Sequence, residues 1–167
     1  GACKELVTVL FAKGIQNIAY LGSNMDQMVN RCRYQGYEEA YRKGKRKLNQ
    51  DLVYTDLSSR AMVEKAVEEL KNSGVECILC QDDYICDEVV RKLARMGVRI
   101  PDQMKVASCH YSRILENYPI TITSLKFNIT ELGRRSCQVL LDMIHGKTVP
   151  DKTLLDYEII LKESTKG

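Results

Sequence analysis

Polar residues follow three apolar runs of this sequence, at the point where each run ends. The three run ends are Gly22–Asn24, Gln81–Asp83 and Cys109–Ser112. The last contains His110, one of only 2 histidines in 167 residues. A neutral imidazole donates a hydrogen bond at one ring nitrogen and accepts one at the other, so it is suited to reading the polar groups of a ligand. His110 is therefore either a ligand-binding residue at the mouth of a site or an ordinary loop residue.

The 7 cysteines raise the question of zinc binding or redox chemistry. The tempting motif is "CILC", which spaces Cys77 and Cys80 as C-x-x-C. These residues fall in "VECILC", a predicted strand, where positions three apart point to opposite faces. No second pair and no histidine lies nearby in the sequence. We therefore expect core cysteines, reduced as in a cytosolic protein, and no metal site.

Neither catalysis nor a cofactor is predicted. The sequence has no Gly-rich phosphate loop, no metal-ligand spacing and no nucleophile-elbow motif. Cys109 and His110 can be drawn as a nucleophile and its base, but neighbours on a strand point apart. We therefore expect a protein that is not an enzyme.

The elements that would position these residues alternate between strand and helix. Apolar runs typical of buried strands are separated by amphipathic stretches of helical period. That alternation predicts βαβ units and a doubly wound parallel sheet that is covered on both faces. Ligands bind such sheets beyond the carboxyl ends of the strands, which is where the three run ends fall. The predicted strands are 15–22, 51–56, 75–80, 104–109, 122–127 and 154–163, and the predicted helices are 2–13, 25–44, 60–74, 82–97 and 129–146.

Composition and charge are those of one ordinary globular domain. The chain is 44% hydrophobic and 28% charged, and its net charge of +3 is too balanced to predict nucleic-acid binding. No apolar run approaches the ~20 residues of a membrane span, and the N-terminus has no signal-peptide pattern. The basic run "RKGKRK" (42–47) suggests phosphate binding, but a solvated helix end is the preferred interpretation, because cations are favourable at a helix C-terminus.

Six segments, in order along the chain, carry a family resemblance. They are "AKGIQNIAYLG" (12–22), "RYQGYEEAYRK" (33–43), "ILCQDDYIC" (78–86), "MGVRIPDQMKVASCHYS" (96–112), "ITSLKFNITELG" (122–133) and "IILKEST" (159–165). Together they resemble the lac repressor/galactose repressor family of bacterial transcription regulators. The resemblance implies the fold of the periplasmic binding proteins, in which two Rossmann-like subdomains enclose a small molecule in a cleft.

The resemblance also implies a division of the chain. Residues 15–121 and 155–167 would form the C-terminal subdomain of the effector-binding domain. Residues 1–14 and 122–154 would be remnants of the N-terminal subdomain, and the family's helix-turn-helix DNA-binding domain has no counterpart here. Helices 2–13 and 129–146 would then lack much of their normal partner. We expect each to expose an apolar face or to be covered by a dimer contact.

Four residues are candidates for ligand binding by this resemblance. Arg33 matches the arginine that forks onto ligand hydroxyls or carboxylates, as a planar guanidinium does well; the alternative is a surface arginine. Asp82 matches a polar contact position, although two adjacent carboxylates also suit the start of a helix. His110 falls where the family usually has an aspartate, and Leu57 where many members have an aromatic ring.

Two further positions bear on the site, Asp83 as a structural residue and Ser108 as a departure from the family pattern. Asp83 is expected to cap the helix that follows it, and Ser108 replaces the glycine that usually precedes this turn. The departures at Leu57, Ser108 and His110 make a neutral sugar a poor candidate ligand. The pair of Arg33 and His110 would suit an anionic or phosphorylated compound.

The function implied is the effector-binding and dimerisation region of a cytoplasmic transcription regulator. Ligand would change the angle between subdomains and so act on operator DNA through the missing N-terminal domain. Helix 84–96 and residues 104–115 would lie at a homodimer interface, and no membrane contact is expected. The alternative is a sugar-type solute-binding protein of a transporter, which shares the fold. The stretch "RIP" (99–101), the ending "LKEST" and the cysteine count favour the regulator.

Overall fold

A single six-stranded sheet organises the chain, and the computed structural model describes residues 1–167. The strand order is β2-β1-β3-β4-β5-β6, with β1 to β5 parallel and β6 antiparallel to β5. The strands are β1 (Ile18–Leu21), β2 (Val53–Tyr54), β3 (Cys77–Cys80), β4 (Lys105–Ser108), β5 (Thr123–Phe127) and β6 (Tyr157–Ile160). The helices are α1 (Ala2–Ala12), α2 (Met28–Lys43), α3 (Arg60–Leu70), α4 (Asp83–Arg95) and α5 (Ile129–Ile144). Short 3₁₀ helices lie at Gln50–Leu52, Arg113–Asn117 and Glu163–Thr165.

Helices cover both faces of the sheet, which confirms the predicted doubly wound α/β fold. Successive strand residues point to opposite sides, so Ile18 and Tyr20 pack in one apolar cluster while Ala19 and Leu21 pack in the other. The first cluster also contains the inner faces of α1 and α2, and the second those of α3 and α4. None of the helices combines the length and the apolar composition that a membrane span requires.

Cys77 and Cys80 lie on opposite faces of β3, as the strand period predicts. Cys77 belongs to the cluster under α1 and α2, and Cys80 to the cluster under α3 and α4; both are fully buried. Burial raises the pKa of the Cys77 thiol. The two sulfurs therefore cannot converge on one ion, and the interpretation of both residues as core cysteines is confirmed.

Helix α1 is packed within the chain, so the expectation that helix 2–13 exposes an apolar face is wrong. Leu6, Val7 and Leu10 are fully buried in the cluster shared with α2 and the sheet. The two helices approach closely at Gly36 of α2, where a Cβ atom would lie 3.0 Å from the Lys4 amide nitrogen. The partner of α1 is thus α2, a helix that this chain itself supplies.

Helix α5 behaves as expected for residues 129–146, with its apolar side in solvent. None of its 16 residues is buried. Leu140 is 59% exposed and Ile144 is 69% exposed. A stripe of this kind on a soluble protein is typical of a surface that meets another element.

Strand β5 lies in the same sheet as the other strands. Its Ser124 pairs with Ser108 of β4 on one side and with Ile160 of β6 on the other. The division of the chain between two subdomains stays a prediction. In this structure the boundary between the subdomains would lie after Phe127 rather than before residue 122, and α1 would belong to the same subdomain as the sheet.

Candidate ligand-binding site

The three run ends meet at one edge of the sheet. Strands β1, β3 and β4 are neighbours in parallel register, with Leu21 beside Cys80 and Cys80 beside Ser108. The chain segments that follow these residues therefore leave the sheet side by side. This edge holds Gly22–Asn24, Gln81–Asp83 and Cys109–Ser112, the arrangement that open parallel sheets offer to ligands.

Gln81 organises the loop after β1, a role that the sequence interpretation missed. Its side chain is fully buried, and its Nε2 donates to the Ser23 carbonyl at 3.1 Å. Its Oε1 accepts from the Ser23 amide at 3.2 Å and from the Tyr20 hydroxyl at 3.3 Å. A Cβ atom on Gly22 would come within 2.5 Å of that oxygen, so the close approach requires glycine. The available signal was an amide side chain directly after a buried strand.

Asn30 holds the same loop from the first turn of α2. Its Nδ2 donates to the carbonyls of Ser23 and Asn24, both at 3.0 Å. Asn24 has φ +48°, a left-handed conformation that asparagine tolerates better than most residues. The edge of the site at β1 is therefore fixed by two buried amides before any ligand arrives.

Of the adjacent carboxylates Asp82 and Asp83, it is Asp82 that has the capping role expected of Asp83. Asp82 is the N-cap of α4, and its Oδ1 accepts from the Ile85 amide at 3.0 Å. Asp83 is the first helical residue, and its carboxylate turns toward the end of β4. The prediction that Asp83 caps the helix is wrong because α4 begins at Asp83, one residue earlier than a cap at Asp83 would allow.

Asp83 orients His110. Its Oδ1 lies 3.1 Å from His110 Nδ1, and its Oδ2 accepts from the Ser112 hydroxyl. Burial opposes ionisation of Asp83, but the hydrogen bonds from Ser112 and His110 outweigh it and hold the pKa of this carboxyl below its usual value. An ionised carboxylate can only accept, so Nδ1 carries the proton and Nε2 remains free for a ligand.

Packing and backbone contacts fix the His110 ring further. The ring stacks against Phe127 with centroids 6.3 Å apart and an interplanar angle of 21°. Phe127 in turn contacts Tyr157 at 6.2 Å. Ser108 Oγ donates to the His110 carbonyl at 2.7 Å and accepts from the His110 amide at 3.2 Å. The serine that replaces the family's glycine thus ties down the turn.

Arg33 and Leu57 differ in how much of each reaches the edge. The Arg33 side chain is half-buried on α2 and makes no hydrogen bond or ion pair. Its positive charge offsets part of the pKa rise that burial causes at Tyr20 and that the hydrogen bond with Cys109 causes at Cys3. Leu57 is 6% exposed, packs in the core and donates its amide hydrogen to the Gly22 carbonyl at 3.1 Å.

A small cavity of about 200 Å³ brings Leu57 together with Asp82 and Ser23. His110 and Arg33 do not line this cavity. Of the four predicted ligand contacts, Leu57 and Asp82 therefore share one cavity, whereas His110 and Arg33 lie outside it.

Comparison with known proteins decides the family. A family model described as "Periplasmic binding protein-like domain" matches residues 7–165. The chain belongs to this family. The resemblance to the lac repressor/galactose repressor regulators within it is confirmed by the relatives that follow.

Three relatives illustrate the match. The transcriptional regulator GntR of Escherichia coli K12 is 26% identical over 166 residues, covering 92% of this chain and 46% of that protein. The transcription regulator CcpA of Lactococcus lactis superposes with a TM-score of 0.89 at 23% identity, covering 99% of this chain and 61% of that one. A sugar-binding LacI-family regulator from Escherichia coli, complexed with phosphate, gives a TM-score of 0.83 at 23% identity, covering 98% of this chain and 59% of that one.

These comparisons bear on activity as well as fold. The relatives are transcription regulators, so the expectation that this periplasmic binding protein-like domain is not an enzyme is confirmed. The chain spans about half the length of the curated relatives that it matches.

Proposed function

We propose that this periplasmic binding protein-like domain is the effector-binding and dimerisation region of a cytoplasmic transcription regulator. The observation that carries the proposal is the edge where β1, β3 and β4 end. There two buried amides fix one loop, and His110 is oriented with a free ring nitrogen. A site so organised in advance lowers the entropic cost of binding a small molecule.

The chemistry of this edge favours an anionic or phosphorylated, sugar-like effector. The Arg33 guanidinium has no partner within the chain, whereas the Asp83 carboxylate is already occupied by His110 and Ser112. The free groups are thus one cation, the Arg33 guanidinium, and one acceptor, Nε2 of His110. A phosphate or carboxylate would satisfy Arg33, and a hydroxyl of the sugar-like part would donate to Nε2 of His110.

Binding would act through parts of the protein that lie beyond these residues. We place operator DNA on a separate DNA-binding domain and a homodimer contact on α4 and residues 104–115. The exposed apolar stripe of α5 supports a further subdomain that closes over the ligand. The alternative function, a solute-binding protein of a transporter, has no observation in its favour, since the curated relatives are regulators.

The test is isothermal titration of the complete gene product with sugar phosphates, neutral sugars and nucleobases. We expect a sugar phosphate to bind and the Arg33→Ala variant to lose about tenfold or more in affinity. Arg31→Ala is the matched control, because Arg31 lies on the same helix and bonds only to the Met25 and Asp26 carbonyls. Tight binding of a neutral hexose, unchanged by Arg33→Ala, would overturn the anionic assignment.

A further inference from the structure

A second concave surface lies along α1, on the side of the sheet that α1 and α2 cover. It is a cavity of about 610 Å³ between α1, the end of α2 and β6. The Tyr41 hydroxyl on this end of α2 contacts the amide and the carbonyl of Ile18, the first residue of β1, so the Arg46 end of the cavity lies near the amino ends of the strands. Neither His110 nor Gln81 lines the cavity. It is therefore separate from the edge that carries His110.

The cavity combines an apolar floor with a cationic rim. Val9, Phe11 and Ile159 contribute to the floor, and Lys4, Lys43 and Arg46 contribute to the rim; these six are among its lining residues. We call this surface the basic groove. The basic run 42–47 continues the rim outward, which gives that run a place in the structure beyond a helix end.

Arg46 is held in place rather than free in solvent. Its guanidinium carbon lies 4.4 Å from the centroid of the Phe11 ring, and the guanidinium also bonds to the Gln16 side chain. Its backbone amide donates to the Tyr41 carbonyl at 3.0 Å. A cation fixed in this way loses little further entropy when an anion binds it.

The acids near the groove do not balance its cations. Glu39 lies 3.3 Å from Lys43, 3.7 Å from Lys4 and 4.0 Å from Arg42, so one carboxylate is shared by three positive charges. Among the lining residues themselves, the single acid is Glu5. The groove therefore has an excess of positive charge around an apolar floor.

We infer that the basic groove docks an acidic segment of a partner protein, with one apolar side chain on the floor and carboxylates on the rim. Charge complementarity is the basis for this occupant. Single-stranded nucleic acid fits less well, because Arg46 already covers the Phe11 face on which a base would stack. The inference concerns a different surface from the proposed effector site and stands without it.

The probe is a short fluorescein-labelled peptide in which glutamates flank a central leucine, titrated with the 167-residue chain and followed by fluorescence anisotropy. We expect binding that weakens with salt and falls about tenfold or more in the double variant Lys43→Glu, Arg46→Glu. Glu39→Gln should bind more tightly, because it removes the carboxylate that competes with the peptide. Val9→Ser should weaken binding of the leucine peptide but not of a peptide with serine in its place.

Lys65→Glu is the control for charge reversal, since Lys65 is an exposed lysine like Lys43 but lies on α3, across the sheet. Circular dichroism of each variant verifies the fold. The inference is overturned if the double reversal leaves affinity unchanged, if inorganic phosphate displaces the peptide completely, or if an oligonucleotide binds the groove more tightly than the peptide.

Discussion

Helices α1 and α5 both have an apolar stripe, but the stripe of α1 is buried and that of α5 is exposed. Five residues of α1 are buried, and none of α5 is. The difference lies in the neighbours: α2 approaches α1 closely enough to require Gly36, whereas nothing lies within 4 Å of a Cβ atom placed on Gly133 of α5. An amphipathic period thus shows that a helix has a face to cover, but not whether the same chain supplies the cover.

The largest effect is expected from truncating one leucine on each helix. Leu6 of α1 is fully buried, so Leu6→Ala should lower the free energy of unfolding by about 3 kcal/mol. Leu140 of α5 is 59% exposed, so Leu140→Ala should change it by less than about 0.5 kcal/mol. Urea unfolding of both variants measures the contrast. Equal losses would show that α5 is covered in solution.

An Asp83→Asn substitution at the start of α4 is expected to cost about 1–2 kcal/mol, because His110 and Ser112 lose a charged acceptor. The pKa of Asp83 is lowered in the fold, so its stabilising contribution is present above its ordinary pKa and is lost as the pH falls through the lower folded value. The wild-type chain should therefore lose an acid-sensitive part of its stability that Asp83→Asn lacks. Unfolding at pH 7 and below pH 4 measures it; parallel pH profiles would contradict it.

Glycine substitutions should change stability in opposite directions on the two helices. In Gly36→Ala the new Cβ atom would lie 3.0 Å from the Lys4 nitrogen and 3.1 Å from the Cys3 Cβ, so the helices must separate, at a cost of about 1 kcal/mol. In Gly133→Ala the new methyl meets open space, and the gain in helix propensity should stabilise by up to about 1 kcal/mol. Thermal unfolding gives both signs. A stabilising Gly36→Ala would mean that α1 and α2 are not in close contact.

The smallest effect is expected at the start of α5. Hydrogen bonds from Arg134 and Arg135 lower the pKa of Glu131 to about 2. The ionised Glu131 side chain would therefore contribute to the free energy of unfolding above its ordinary pKa, and this contribution would be lost as the pH falls toward 2. The Glu131 side chain lies at the surface, 32% exposed, and its arginine partners are more exposed still, so salt should weaken the effect. The difference in free energy of unfolding between Glu131→Gln and wild type, followed by circular dichroism at low and at high salt, measures this contribution. A loss of stability that does not depend on salt would indicate that Glu131 is buried.

Much of the fold follows from strand periodicity. The alternation that separates Cys77 from Cys80 also assigns each buried strand residue to one of the two layers. The parallel order of β1 to β4 follows from the helices between these strands, and with it the meeting of the three run ends. The antiparallel β6 was not predicted, since α5 also separates β5 from β6. These features depend on local periods that each segment carries by itself.

The candidate site was predictable in outline only. His110 at the end of β4 and Arg33 on α2 were identified from the sequence, and their ligand-binding roles stay predictions. The sequence interpretation placed the N-cap of α4 at Asp83 instead of Asp82, because a shift of one residue in the start of a helix decides which of two adjacent carboxylates caps it. Gln81 was missed because its three partners come from other segments of the chain.

The antiparallel pairing of β5 with β6 has a consequence for how the gene can change. The chain leaves the sheet at Phe127 and returns at Tyr157, and these two residues are partners in register. The segment between them, α5 included, therefore leaves the sheet and returns to it at the same position. Insertions, replacements or deletions in this segment therefore leave the pairing of the six strands unchanged.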